Sequence, residues 1–203
     1  MIGVDFDNTI VRYDDLFGRV ALDLGLVPPG AATSKTAVRD HLRATGAEER
    51  WTELQGIIYG PRMSDATLFP GVGAFFAACR AAGTPVAIVS HRTRFPYIGE
   101  RHDLHAAARA FLARHGFHDD TGIALPADRV FLEETKAGKL ARISALGCTA
   151  FIDDLPELLG DPAFPAGVRP ILFDPEGIHT PPPGITTVAS WAEVGRVLAE
   201  VRP

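Results

Sequence analysis

The sequence predicts an α/β protein built on a parallel β-sheet with helices on both faces. Five short apolar runs, each bounded by turn-forming residues, alternate along the chain with longer stretches of helical spacing. Strands that alternate with helices form parallel sheets, because each helix crosses back over the sheet before the next strand begins. Ligands of such sheets bind beyond the carboxyl ends of the strands, so a functional site is expected at that edge.

The predicted strands and helices follow one another in a regular order. The five strands cover residues 1–5, 85–89, 129–132, 150–152 and 170–173. The helices between them cover residues 72–82, 102–115 and 136–146. In the last of these helices one face is apolar, formed by Leu140, Ile143 and Leu146. The segment 181–184 is a rigid proline-rich loop, and a final helix is predicted near residues 190–201.

Residues 11–69 interrupt this alternation. They contain three helical patterns with no apolar β run between them, near residues 14–24, 36–45 and 48–58. Turn-forming residues mark both edges of the segment, with Asn8-Thr9 before it and Pro70-Gly71 after it. We therefore predict a small helical cap, residues 11–69, inserted after the first strand of a core formed by residues 1–10 and 70–203.

Composition and charge exclude several classes of protein. The 203 residues include 25 acidic and 20 basic side chains, so the net charge of −5 argues against a non-specific nucleic-acid binder or a basic membrane-surface protein. Cys79 and Cys148 are the only cysteines, and we expect both in the core of a protein from a reducing compartment. No signal-peptide pattern and no apolar run of about 20 residues is found. We expect a cytoplasmic protein.

Paired acids follow the first predicted strand. Asp5 and Asp7 are two positions apart, and alternate residues of an extended chain point the same way, so the two carboxylates can converge above the sheet edge. Acids after a strand also serve as turn and cap residues, so the pair alone leaves both interpretations open.

The later strands end in polar residues as well. Ser90 to Thr93 follow the second strand, Glu133 to Lys136 the third, and Asp153 and Asp154 the fourth. All of them fall at one edge of the predicted sheet. Four aspartates, Asp5, Asp7, Asp153 and Asp154, would then lie together, and four such carboxylates cannot all stay ionised without a cation. Mg²⁺ prefers carboxylate oxygens as ligands. The sequence therefore predicts a magnesium site at this edge.

This ordered set of motifs resembles that of a known superfamily. Asp5-Phe6-Asp7-Asn8-Thr9, Ser90, a downstream lysine and Asp153-Asp154 look like the four motifs of the haloacid dehalogenase-like (HAD) phosphohydrolases, in matching order over residues 5–154. The resemblance implies a Rossmann-like core, a bound Mg²⁺ and an aspartyl-phosphate intermediate. Asp7 matches the phosphatase members, since the superfamily's dehalogenases lack this second acid and its P-type ATPases carry threonine there.

The resemblance also implies roles for the matching residues. Asp5 corresponds to the nucleophile, and Asp7 to the general acid that protonates the leaving group and later assists water. Thr9 would fix the loop by hydrogen bonding. Ser90 would donate its hydroxyl to a phosphoryl oxygen, although a lone serine here could also be a strand-end cap.

The metal ligands are assigned in the same way. Asp154 would bind Mg²⁺ beside Asp5 and the main-chain carbonyl of Asp7. Asp153 would hold a metal-bound water or the lysine of the third motif. That lysine is Lys136 or Lys139, and we predict Lys136 because it begins the helix that follows the third strand.

Further residues are candidates for contact with a substrate. His91 and Arg92 follow Ser90 directly and are predicted to bind the phosphorylated substrate, although solvated loop arginines fit the pattern equally well. Other residues that could bind a second anionic group of the substrate lie near Ser90 or near the edges of the cap: Arg94, Arg12, Tyr13 and Arg62. His102 and His105 could belong to a zinc site, but without cysteines nearby a helix-surface cluster is the preferred interpretation.

The expected function is Mg²⁺-dependent hydrolysis of small phosphorylated metabolites through an aspartyl-phosphate, with the cap closing over the substrate. In the superfamily that the chain resembles, an insertion between the first and second motifs goes with small-molecule substrates. Two alternatives stay open, a phosphomutase of the same superfamily and a non-catalytic phospho-ligand-binding protein. The expected partner is a small phosphorylated substrate, with neither nucleic acid nor membrane, and the expected state is a monomer or homodimer.

Overall fold

The computed structural model of the protein describes residues 1–31 and 33–200. Its strands are β1 to β8, at Ile2–Val4, Val11–Arg12, Thr67–Leu68, Val86–His91, Val130–Glu133, Ala150–Asp153, Arg169–Phe173 and Thr186–Val188. Its helices are α1 to α8, at Asp14–Asp23, Lys35–Ala44, Glu48–Tyr59, Val72–Ala81, Leu104–Arg114, Lys136–Ala145, Pro156–Leu159 and Trp191–Ala199. The last predicted helix ran to Val201, which lies outside the described residues.

Six strands form one parallel sheet in the order β5-β4-β1-β6-β7-β8. β1 lies near the middle, where Ile2 is paired with Val86 on one side and with Ala150 on the other. The predicted α/β class with a parallel, Rossmann-like sheet is confirmed. The prediction of five strands is corrected in two places: β2 and β3, two residues each at the ends of the segment 11–69, pair in a separate sheet, and β8 is a sixth strand of the main sheet. β8 is too short and too close to a proline-rich loop to show a β pattern. Its pairing with β7 identifies it.

Helices cover both faces of this sheet, as predicted. On one face, Ala87 and Val89 of β4 belong to a buried cluster with Leu140 of α6 and Leu158 of α7. On the other face, the ring of Phe173 lies 5.7 Å from Trp191, and Trp191 lies 4.9 Å from Phe75 of α4. Neighbouring residues of a strand point to opposite faces of the sheet. Because these strands are apolar at successive positions, both faces of the sheet are apolar.

The chain forms two compact units. The first, which we call the core unit, contains residues 1–11, 68–92 and the described residues from 113 onward. The second, the helical unit, combines the described residues of 12–67 with residues 93–112. The predicted cap covered residues 11–69, so the helical unit differs from it by the added segment 93–112 and by the loss of residues 11, 68 and 69 to the core unit. That segment contains most of α5, whose helical spacing alone does not show which unit it joins.

The helical unit has an aromatic core of its own. The rings of Phe17 and Trp51 lie 5.1 Å apart, and so do those of Tyr13 and Tyr59. The Tyr13 hydroxyl donates a hydrogen bond to the Met63 sulfur at 3.2 Å. Large aromatic side chains that pack together in this way supply much of the apolar area that a small helical unit can bury.

The helices and the two cysteines bear on the predictions about membrane association and disulfides. None of the helices in the described part of the chain is long and apolar enough to cross a membrane. Cys79 and Cys148 are both buried, and no disulfide joins them. Their burial agrees with the expectation that both are small core residues.

We expect alanine to have opposite effects at two glycines of the core unit. At Gly3 in β1, a β-carbon would lie 2.9 Å from Cε2 of Phe151 and 3.0 Å from Sγ of Cys148, both in packed core. Gly3→Ala should therefore lower the free energy of unfolding by about 1–3 kcal/mol. At Gly73 in α4, a β-carbon would meet nothing within 4 Å, so Gly73→Ala should raise it by about 0.5–1 kcal/mol. Urea unfolding of both variants measures the difference, and equal midpoints would contradict it.

Candidate active site

The loop after β1 begins the site. The amide of Asp5 donates a hydrogen bond to the carbonyl of Ile152 at 2.8 Å, which extends the β1–β6 pairing by one residue. The chain then turns sharply, because the Phe6 carbonyl accepts hydrogen bonds from the amides of Ile10 and Val11, both at 3.0 Å. Asn8 has a φ of 55°, a left-handed conformation that asparagine tolerates better than most residues. This turn fixes the carboxylates of Asp5 and Asp7 at the carboxyl edge of the sheet.

A buried lysine connects the first acid to the end of β6. The Lys139 ammonium donates to Oδ1 of Asp5 and to Oδ2 of Asp153, both at 2.6 Å. Oδ1 of Asp153 accepts the amide of Leu155 at 2.9 Å. All three charged residues are at most 4% exposed. Because every charge here has a close partner of opposite charge, the burial of three ionisable groups is tolerated.

Burial and neighbouring charge shift the protonation of this group. Burial raises the pKa of the Asp5 carboxyl to about 7, with the nearby Lys139 ammonium lowering it and the charges of Asp153 and Asp7 raising it further. Burial disfavours the charged form of Lys139, but the carboxylates of Asp153 and Asp5 outweigh that effect and raise its pKa. The lysine therefore stays protonated between the two carboxyl groups.

The structure corrects the choice between the two lysines. Lys136 does begin α6, and the helix is capped as the sequence suggests, with the Thr135 hydroxyl accepting the amide of Gly138 at 3.0 Å. Its ammonium, however, is half exposed and bonds Asp161 at 2.5 Å. Lys139 is the lysine at the acids. A helical side chain leans back toward the helix N-terminus, so a residue one turn into α6 reaches the strand ends.

The second acid has a separate set of partners. Oδ1 of Asp7 pairs with Nη2 of Arg92 at 2.9 Å, and Oδ2 accepts a hydrogen bond from the Ser90 hydroxyl at 3.4 Å. Ser90 and Arg92 are both buried. His91, between them, is exposed, because side chains alternate along β4. The structure thus brings Ser90 and Arg92 to Asp7 and leaves His91 outside this contact.

Thr9 is fixed through its main chain. Its carbonyl accepts the indole N–H of Trp191 at 3.1 Å. Its hydroxyl, which the sequence analysis expected to fix the loop, is buried and has no hydrogen-bond partner among the described residues. Trp191 was not identified from the sequence, since it lies 182 positions away in the last helix and no local pattern connects the two.

Three carboxylates lie close enough together to hold one cation. Asp5, Asp153 and Asp154 each offer an oxygen, and these oxygens lie within 4.8 Å of one another. Among the side chains that the structure describes, no other group of three acids, histidines or cysteines is spaced in this way. Carboxylate oxygens are the donors that hard divalent cations prefer. The donor set therefore fits the predicted Mg²⁺.

The remaining candidates belong to the helical unit. Tyr13 is fully buried in its aromatic core. Arg62 pairs with Asp65 and Asp23, and Arg94 pairs with Asp103 at 3.1 Å. Arg12, a candidate for substrate contact, lies in β2. His105, a candidate for zinc binding, lies in α5, and His102 lies just before that helix. Among the described residues, neither histidine belongs to a group that could hold a metal ion.

Solved structures with the same fold include hydrolases of more than one kind. A HAD family hydrolase from Deinococcus radiodurans R1, with bound phosphate and sodium, has a TM-score of 0.59 and 18% identity over 98% of this chain and 94% of its own. A predicted phosphoglycolate phosphatase from Haemophilus somnus 129PT has a TM-score of 0.59 and 17% identity over 98% and 97%. An L-2-haloacid dehalogenase has a TM-score of 0.55 and 13% identity over 98% and 97%.

The class of fold follows from these likenesses. The chain has the fold of the HAD-superfamily hydrolases, as the resemblance in its motifs implied. No protein-family model matches the sequence, and no curated protein does. Because the similar structures are phosphatases and dehalogenases alike, the likeness extends to the fold and leaves the reaction to be argued from the site.

Removing the charge of either lysine should separate their roles. Lys139→Met leaves Asp5 and Asp153 as buried acids without their cation, and we expect a loss of about 3–5 kcal/mol in the free energy of unfolding. Lys136→Met is the matched control and should unfold like the wild type, because its ammonium is half exposed. Urea unfolding at neutral pH measures both variants. Equal losses would contradict the placement of Lys139 as the buried counter-ion.

Proposed function

We propose that the protein is a Mg²⁺-dependent phosphohydrolase of small phosphorylated metabolites that works through an aspartyl-phosphate. The observation that carries this proposal is the separation of the two acids of the first motif into different settings. Asp5 is buried against Lys139, whereas the Asp7 side chain is 21% exposed and contacts Ser90 and Arg92. A buried nucleophile beside a solvent-accessible proton donor is the arrangement that this two-step reaction needs.

In the first step, a carboxylate oxygen of Asp5 attacks the phosphorus of the monoester. The bond from phosphorus to the leaving oxygen breaks, and Asp7 gives its proton to that oxygen. In the second step, Asp7 takes a proton from water, whose oxygen attacks phosphorus and frees Asp5 and inorganic phosphate. Each proton and each bond is thereby accounted for by two carboxyl groups and one water.

Lys139, Ser90 and the oxygens that would hold the metal support these steps. Lys139 holds Oδ1 of Asp5, so the carboxylate is fixed in place before substrate arrives. The Ser90 hydroxyl can turn from Asp7 to donate to a phosphoryl oxygen. Asp5, Asp154 and the main-chain carbonyl of Asp7 would bind Mg²⁺, which would neutralise negative charge on the phosphoryl group.

Asp7 favours a phosphatase over a dehalogenase. A haloacid dehalogenase resembling this chain would lack the second acid, because a halide leaving group needs no proton. Here Asp7 is present and is held by two buried side chains. Release of chloride from a 2-haloacid, with no phosphate released from esters, would overturn the proposal.

We also propose that the substrates are small and that the protein is cytoplasmic, with a phosphomutase or a phospho-ligand-binding protein as the alternative functions. The described residues of 12–67, the larger part of the helical unit, lie between the first and second motifs, and in the superfamily the chain resembles such an insertion goes with small substrates. A phosphomutase would yield an isomerised phosphoester, and a phospho-ligand-binding protein would yield no product. Two buried cysteines without a disulfide support a cytoplasmic location. A screen of phosphorylated sugars, nucleotides and amino-acid derivatives for phosphate release, beginning with a generic aryl phosphate, tests the proposal.

Replacing each of the two acids should distinguish the nucleophile from the proton donor. Asp5→Asn should abolish phosphate release from an aryl phosphate, because the amide is not a nucleophile. Asp7→Asn should lower kcat by about 10²–10⁴. Asp128→Asn, at an exposed acid outside the site, is the control and should match the wild type. Turnover above a few per cent in Asp5→Asn would rule out the aspartyl-phosphate.

The metal requirement should depend on Asp154. We expect chelation to stop phosphate release, Mg²⁺ to restore it, and Asp154→Ala to raise the Mg²⁺ concentration needed for half-maximal activity more than Asp153→Ala does. Mg²⁺ should also raise the thermal midpoint of the wild type, since an ion that binds only the folded state stabilises it. Asp128→Asn again serves as the control. Full activity in excess chelator would contradict this prediction.

A further inference from the structure

A second buried cation, Arg92, lies at the site and is not explained by the resemblance. It follows β4 directly, and its amide donates to the carbonyl of Glu133 at 2.8 Å, so the β4–β5 pairing continues to it. Its guanidinium carbon lies 5.4 Å from the centroid of the Phe6 ring, and the residue is 4% exposed. The main chain and the aromatic ring therefore fix where this guanidinium lies.

From that position Arg92 contacts the second acid. Nη2 lies 2.9 Å from Oδ1 of Asp7, while the Ser90 hydroxyl lies 3.4 Å from Oδ2. Ser90 and Arg92 are two positions apart on one extended segment, so they lie on the same side of it and contact one oxygen each. Both oxygens of the Asp7 carboxylate are thus held by buried side chains that β4 positions.

We propose that Arg92 is a positioning residue for Asp7. It holds the carboxyl group where Asp7 exchanges a proton with the leaving oxygen in the first step and with water in the second. The inference rests on the proposed function. Proton transfer requires the two heavy atoms within about 2.6–3.2 Å, so a displaced carboxyl group transfers its proton slowly even when it is correctly protonated.

From its place just after Ser90, Arg92 was instead predicted to bind substrate. Its side chain is only 3% exposed and is already paired with Asp7. Arg94, two residues later, is 57% exposed and pairs with Asp103. Lys139 pairs with Asp5 and Asp153, whereas Arg92 is the cation paired with Asp7.

Kinetics of single variants distinguish positioning from substrate binding. With an aryl phosphate and saturating Mg²⁺, Arg92→Gln should lower kcat by about 10²-fold and leave KM little changed, because the loss falls on the reacting geometry. Arg92→Lys should fall between Arg92→Gln and the wild type, since lysine keeps the charge without the planar fork. A rise in KM with kcat unchanged would overturn the proposal in favour of substrate binding.

A matched control exists at a second arginine. Arg142 pairs with Glu133 at 2.8 Å and lies 4.5 Å from the centroid of Phe131, so it makes the same two kinds of contact away from Asp7. Arg142→Gln should leave kcat and KM unchanged. A kcat loss there as large as that of Arg92→Gln would overturn the proposal, because any lost arginine pair would then have the same effect.

A double-mutant cycle tests whether Arg92 acts through Asp7. Asp7→Asn and the double variant Asp7→Asn/Arg92→Gln should have equal kcat, whereas multiplying losses would overturn the proposal. If Arg92→Gln fails to fold by circular dichroism, the same cycle is measured with Arg92→Lys. A wild type that releases no phosphate refutes the proposed function and this inference together. An active wild type with multiplying losses refutes the inference alone.

Discussion

The ammonium of Lys139 holds the functional edge of this protein together. It donates to Asp5 after β1 and to Asp153 at the end of β6, so a residue of α6 joins two neighbouring strands at the point where both end. Removing a lysine and two carboxylates from water is costly, and only close pairing offsets it. The position of α6 on the sheet, the turn after β1 and the end of β6 must therefore all be compatible with this one contact.

The contact of Lys139 with Asp5 also gives the two acids of the first motif different surroundings. Lys139 and burial define the setting of Asp5, whereas Arg92 and Ser90 define that of Asp7. The residues that contact Asp7 thus come from one side of β4 and its extension, and the residue that contacts Asp5 comes from the first turn of α6. Two identical side chains two positions apart acquire different surroundings, and different surroundings are what allow two carboxyl groups to perform different tasks at one pH.

Much of this arrangement depends on residues far from the site in the chain. Trp191 of α8 donates to the Thr9 carbonyl, and its ring packs with aromatic side chains on one face of the sheet. The loop that carries both acids is therefore anchored to the hydrophobic core. The helical unit packs around aromatic residues of its own, including Phe17 and Trp51.

The sequence alone determined the α/β class and located most elements within two residues at either end, because hydrophobic periodicity and turn residues are local properties of the chain. It also indicated which acids gather at one edge, since parallel strands end on the same side. Only the tertiary structure decided that Lys139 rather than Lys136 meets Asp5, that Arg92 faces Asp7, that Trp191 holds Thr9 and that β8 completes the sheet. Those contacts join residues up to 182 positions apart, and they depend on the face that a helix or strand presents once it is packed.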